Sequence, residues 1–110
     1  MSHRLWTEPD GSIKIETFAI DTPEMRAYTA SAQKADGRID PAATFIDLTP
    51  AELNKALPKD RSQRDQWVLT KDKTGKVKVK AKGDIIASDQ QVHAGDVQVA
   101  DLDSVDEMTQ

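Results

Sequence analysis

No segment constrains the fold of this chain more than Gln66 to Lys82. Gln66-Trp67-Val68-Leu69-Thr70 and Lys76-Val77-Lys78-Val79-Lys80-Ala81-Lys82 flank Asp72-Lys73-Thr74-Gly75. Two runs of strand-forming residues around a loop that ends in glycine predict a β-hairpin, because glycine accepts the left-handed backbone such a loop needs. Side chains alternate along a strand. In the register the loop sets, Trp67, Leu69, Val77, Val79 and Ala81 share one face. Lys76, Lys78, Lys80 and Lys82 line the other.

The chain opens on a second hairpin. Leu5-Trp6-Thr7 leads into Glu8-Pro9-Asp10-Gly11, where proline presets the first turn position and glycine closes the turn. The strand after it carries Ile13, Ile15, Thr17, Phe18 and Ile20, with Lys14 and Glu16 on the opposite side. Asp21-Thr22-Pro23-Glu24 then offers a capping box with Asp21 as the cap and an Ile20–Met25 staple. Met25, Tyr28, Ala32 and Ala35 make an apolar stripe and Gly37 a stop, which predicts a helix near residues 21–36. Leu48-Thr49-Pro50-Ala51-Glu52-Leu53 repeats the signal with Thr49 as cap, and Pro58 ends a short helix near 49–57. Thr44 to Asp47 reads as a short strand, as do Asp84 to Ala87 and Asp96 to Val99. Ser88 to Gly95 reads as loop, and Asp101 to Gln110 as an acidic, frayed end.

Composition limits what these elements can do. Leucine, isoleucine, valine and phenylalanine make up 22 of the 110 residues. A core that lean gains from an oligomer or an obligate partner, since burial must outweigh backbone entropy. No apolar run approaches the ~18 residues of a membrane-spanning helix. Met1 to Ile20 lacks the apolar stretch of a secretory signal, so a cytoplasmic location is expected. With no cysteine, disulfide scaffolds, thiolate zinc sites and cysteine nucleophiles are excluded.

The net charge of −4 hides a strong asymmetry. Met1 to Pro58 carries −3, Lys59 to Lys82 carries +6, and Gly83 to Gln110 carries −7 with no basic residue. Four lysines at alternate positions could follow a phosphate backbone, with Arg61 and Arg64 close by in sequence. They equally make a solvated strand face that discourages edge-to-edge association. In the acidic segment, Asp96, Asp101, Asp103, Asp106 and Glu107 are interleaved with Val97, Val99, Leu102, Val105 and Met108, a pattern able to fold onto a basic partner. The histidines are His3 and His93 only, and no nucleophile elbow, P-loop or dinucleotide fingerprint occurs. No cofactor, metal site or catalytic residue is expected.

Leu57, Pro58, Asp60, Arg61, Arg64 and Trp67 form an L-P-x-D-R-x-x-R-x-x-W pattern, and Trp6, Thr7, Asp10 and Gly11 form W-T-x-x-D-G. Both segments resemble those of short uncharacterised proteins of phages, prophages and bacterial genomes. The resemblance covers up to a third of the chain. It implies a mobile-element context, with virion association as a second location, and carries over no catalytic residue. Physically, Asp60 with Arg61 or Arg64 would brace the link between helix and hairpin, and Arg64 would meet Trp67 one helical turn away.

The reading is a small α+β fold: a mainly antiparallel sheet built from two β-hairpins, with one medium and one short helix. Residues 1–82 form the core domain and 83–110 an acidic segment. The expected core is Leu5, Trp6, Ile13, Ile15, Phe18, Met25, Tyr28, Phe45, Ile46, Leu53, Leu57, Trp67, Leu69, Val77 and Val79. The leading function is a non-enzymatic protein-interaction or structural accessory protein, acting on a protein partner or by self-association, with no role at a membrane. The alternatives are a nucleic-acid-binding module using Arg61, Arg64, Lys76, Lys78, Lys80 and Lys82, and a small metal-dependent hydrolase.

Overall fold

The computed structural model describes residues 2–102. It shows a small α+β fold of two three-stranded antiparallel sheets and two helices. Strands β1 (His3–Thr7) and β2 (Ile13–Thr17) form the opening hairpin, with Leu5 opposite Ile15. Strand β3 (Thr44–Leu48) pairs on the other side of β1, giving the order β2-β1-β3. The second hairpin joins β4 (Trp67–Lys71) and β5 (Val77–Ala81) in the expected register, with Trp67 opposite Ala81 and Leu69 opposite Val79. Its turn is held by Asp72, whose carboxylate accepts from the Thr74 amide, the Thr74 hydroxyl and the Lys76 amide. Gly75 takes the left-handed backbone at φ 88°. A two-residue strand, β6 (Gln90–Gln91), pairs on the far side of β4. The two hairpins thus belong to two sheets, joined by one antiparallel bridge between Ser12 and Val68.

The first sheet is covered on both faces. One face presents Leu5 and Leu48 to a cluster with helix α2 (Pro50–Ala56), through Leu53 and Ala56, and with Trp67, Leu69, Val77, Val79 and Ala81 of the second sheet. Helix α2 starts as expected, with a full capping box between Thr49 and Glu52. The opposite face carries Trp6 with Ile39 and Ala43, and with Ala30 of helix α1 (Pro23–Ala35) packed against them. Here Arg4 is 1% exposed. Its guanidinium makes two hydrogen bonds to Asp47 at 2.7 and 3.0 Å and a third to the Arg26 carbonyl at 2.8 Å. It also lies over the rings of Phe45 and Phe18 at 3.9 and 4.8 Å.

Several expectations change. The α1 cap is Thr22, not Asp21: the Thr22 hydroxyl accepts from the Met25 amide, while Asp21 pairs with Arg26. Tyr28 is 66% exposed and leaves the core list, because α1 meets the sheet through Arg26, Ala30 and Gln33, and that side is turned away from Tyr28. Ile15 is 37% exposed, and Met25, Ile13, Phe45 and Ile46 are only partly buried. Asp84 to Ala87 and Asp96 to Val99 are not strands. Short 3-10 turns occupy Lys82–Asp84, Ala94–Asp96 and Val99–Asp101. Ala94 and Leu102 nevertheless belong to the main core cluster, and Leu102 makes a parallel bridge to Val77. The Ala94 and Gly95 amides donate to the hydroxyls of Thr7 and Thr44 at 2.8 and 2.9 Å.

Candidate functional site

Where the sheets meet, the chain leaves a slot. At Ser12 the outer side of β2 touches β4 through the bridge to Val68. Continued N-terminally, the same antiparallel alignment would bring residues 64–66 alongside β2. Instead Arg64–Gln66 winds into a 3-10 turn and carries the backbone away. The link itself cannot remain helical after Leu57, because Pro58 removes a donor and biases the preceding residue to extended backbone, as found at Leu57 with ψ 147°. Asp60 then stabilises the link by accepting from the Ser62 hydroxyl and amide at 2.7 and 2.9 Å. Those two bonds hold the Asp60 carboxyl below its usual range, the hydroxyl first.

The slot is a groove of about 490 Å³. Its apolar lining comes from Ile13 and Ile15 of β2, Leu53 and Leu57 at α2, and Trp67 at the start of β4. Its polar lining is His3, Thr17, Arg61 and Arg64, and among the described residues no carboxylate lines it. His3 Nδ1 lies 2.9 Å from the Thr17 hydroxyl across the hairpin. Arg61 Nε donates to the Pro58 carbonyl at 2.9 Å, and Arg64 Nε to the Arg61 carbonyl at 3.3 Å. These bonds fix the arginine stems on their own segment. Among the described residues neither guanidinium meets a carboxylate. The indole N–H of Trp67 is buried without a hydrogen-bond partner among the described residues.

Sequence reasoning singled out Arg61 and Arg64 for their charge and for their place in the Leu57–Trp67 pattern, and the structure brings them onto one groove. The expected bracing by Asp60 takes another form, since Asp60 bonds to Ser62 and not to an arginine. Arg64 does not stack on Trp67; the arginine over aromatic rings is the buried Arg4. Ile13, Ile15, Leu53 and Leu57 were expected in the core, and His3 and Thr17 carried no expectation of a site. The signal that could have found the groove is the proximity of a β-branched edge strand to a proline-terminated helix.

The lysine stripe is interrupted. Lys76 precedes β5, and Lys82 lies in a turn past its end. Lys78 and Lys80 stand opposite Thr70 and Val68, which are buried, so the lysine stems cover the second face of β4. Lys80 is paired with Asp89 at 2.8 Å, whose side chain is wholly enclosed. That ammonium, then the Ile86 amide, holds the Asp89 carboxyl below its usual range. In the acidic segment, Asp96 is exposed on its turn, and Asp101 accepts from the Gln98 amide at 3.2 Å. Asp103, Asp106 and Glu107 lie outside the described residues. Among the described residues no helix is long and apolar enough to cross a membrane.

No family model matches this sequence, and no curated protein or solved structure is significantly similar to it.

Proposed function

We propose that this chain is a non-enzymatic interaction module that holds a segment of another protein in the groove between β2 and the Leu57–Trp67 link. The observation that carries the reading is the groove's lining: an apolar floor beside two arginines that no carboxylate of the described residues neutralises. Apolar surface that a lean core leaves open is worth burying, and an unpaired guanidinium supplies direction and specificity to whatever covers it. The resemblance of Leu57 to Trp67 and of Trp6 to Gly11 to segments of phage-type proteins fits an accessory role in a mobile element, in the cytoplasm or on a virion. Nucleic-acid binding along the lysine stripe is the weaker reading, because Lys80 is already engaged by Asp89.

Selection from a displayed random-peptide library tests this. Enriched peptides are expected to bind the wild-type chain and to lose about tenfold or more in affinity on Ile15→Glu, which places a charge on the groove floor at an already exposed position. Failure to enrich any peptide, or equal binding to the Ile15→Glu variant, would remove the proposal.

A further inference from the structure

The open edge of β2 says how such a partner is held. Glu8 donates its amide to the Ser12 carbonyl at 2.9 Å, and Phe18 its amide to the Ser2 carbonyl at 3.1 Å. Those bonds mark the even-numbered residues of this strand as the ones that turn their backbone groups toward β1. By the alternation of an antiparallel ladder, Ile13, Ile15 and Thr17 turn their N–H and C=O groups the other way. Beyond the Ser12 bridge, among the described residues β2 pairs with β1 alone. The other edges differ. The outer side of β3 takes the Ala94–Asp96 turn through Thr44, β5 meets Leu102, and β6 is two residues long.

An exposed strand edge is a template for another strand. Here it runs beside an apolar floor and two arginines, on the same side chains that line the groove. Resting on the interaction reading above, we propose that the guest is an extended, acidic peptide that adds as an antiparallel strand to β2. Its backbone bonds to Ile15 and Thr17, its apolar side chains cover Ile15 and Leu57, and its carboxylates meet Arg61 and Arg64. The antiparallel sense follows from β4, which already approaches the same edge that way at Val68. Backbone pairing supplies affinity in this mode, and the alternate side chains supply selectivity.

The probe is a fluorescein-labelled peptide of about nine residues, with threonine at every second position and isoleucine and glutamate alternating between them. The isoleucine and glutamate residues then face the groove, and their amides face β2. Binding by fluorescence anisotropy is expected, about tenfold weaker for a twin N-methylated at the isoleucine and glutamate amides and unchanged for a twin methylated at the threonine amides. Lysine in place of glutamate, or Arg61→Ala with Arg64→Ala, is expected to weaken binding about tenfold; both arginines are exposed, so an unchanged melting curve shows the fold intact. Exchange of the Ile15 and Thr17 amides, followed by NMR, should slow about tenfold in the complex.

Equal binding of the two methylated twins, or unchanged exchange at Ile15 and Thr17, overturns strand addition while leaving the groove reading in place. If library-selected peptides bind and the acidic probe does not, the acidic chemistry is wrong. If neither binds, the groove reading falls as well. Protection of Ile15 and Thr17 that rises with protein concentration, without peptide, identifies a second copy as the occupant and overturns the peptide.

Discussion

Asp47→Ala removes the counter-charge of a guanidinium that water cannot reach. Arg4 is 1% exposed, and its bidentate contact with Asp47 spans 43 positions of sequence. Without the carboxylate, Arg4 keeps one bond to the Arg26 carbonyl and its place over Phe45 and Phe18. Breaking a buried ion pair from one side costs ~3–5 kcal/mol. Asp47 itself is 31% exposed, so water enters the vacated site and partly solvates Arg4. The loss should therefore fall near the low end, at about 3 kcal/mol. A domain of this size loses ~4–8 °C per kcal/mol, so the melting temperature should drop by roughly 12–24 °C. The converse variant, Arg4→Met, leaves Asp47 at an edge that water already reaches and should cost less. Arg4→Met with Asp47→Leu should return to within about 1 kcal/mol of the parent, since a packed apolar pair replaces a desolvated ionic one. Urea titration followed by circular dichroism measures all three, with the slope checked for constancy. If Asp47→Ala stays within about 1 kcal/mol of wild type, or costs less than Arg4→Met, the account of this pair is wrong.

Two further outcomes follow from other parts of the molecule. Gly95→Ala would set a Cβ 2.8 Å from Thr44 Cβ. The backbone would have to retreat from the Thr44 hydroxyl, and a loss of ~1–3 kcal/mol is expected in the same urea titration. The carboxyls of Asp10, Asp21, Asp60, Asp72 and Asp89 all sit below their usual value of 3.8 in the folded chain, held down chiefly by hydrogen bonds from neighbouring side chains and backbone amides. Groups that release protons more readily when folded contribute stability above the unfolded value and lose it as pH falls through the folded one. The urea midpoint should accordingly hold between pH 7 and 5 and decline below about pH 4, and a flat profile down to pH 2 would contradict this.

Local chemistry made much of the fold readable. The Trp67–Ala81 register follows from alternation and one glycine, and the start of α2 from Thr49, Pro50 and Glu52 in sequence. The α1 cap shifted by one residue because Asp and Thr are both good caps, and the tie was decided by which side chain reached the Met25 amide. Arg4 was missed as a core residue because hydropathy assigns arginine to the surface. Its burial depends on a carboxylate 43 residues away, which no local pattern reveals. Tyr28 failed in the opposite direction: the helix forms, but it meets the sheet through Ala30 and Gln33, and the Met25–Tyr28–Ala32–Ala35 stripe is rotated away, with Tyr28 and Ala35 exposed. Strand-like composition at Asp96 to Val99 gave way to two short turns, the first of them anchored at Ala94 and Gly95 by hydroxyls on β1 and β3. Of the groove, only Arg61 and Arg64 were visible as candidates. Its existence depends on the divergence of two sheets that share one bridge.

Thr7 and Thr44 also set what the sequence can become. Their hydroxyls lie 3.2 Å apart and receive the Ala94 and Gly95 amides. Valine has nearly the same volume and is at least as good in a strand, so an ordinary similarity scale ranks Thr→Val as mild. At Thr7 it would keep the strand and orphan the buried Ala94 amide instead, which is the costlier error, whereas at Thr44 it would release the exposed Gly95 amide to water. Substitution should therefore cost more at Thr7, an unremarkable strand threonine, than at exposed isoleucines such as Ile20 and Ile86.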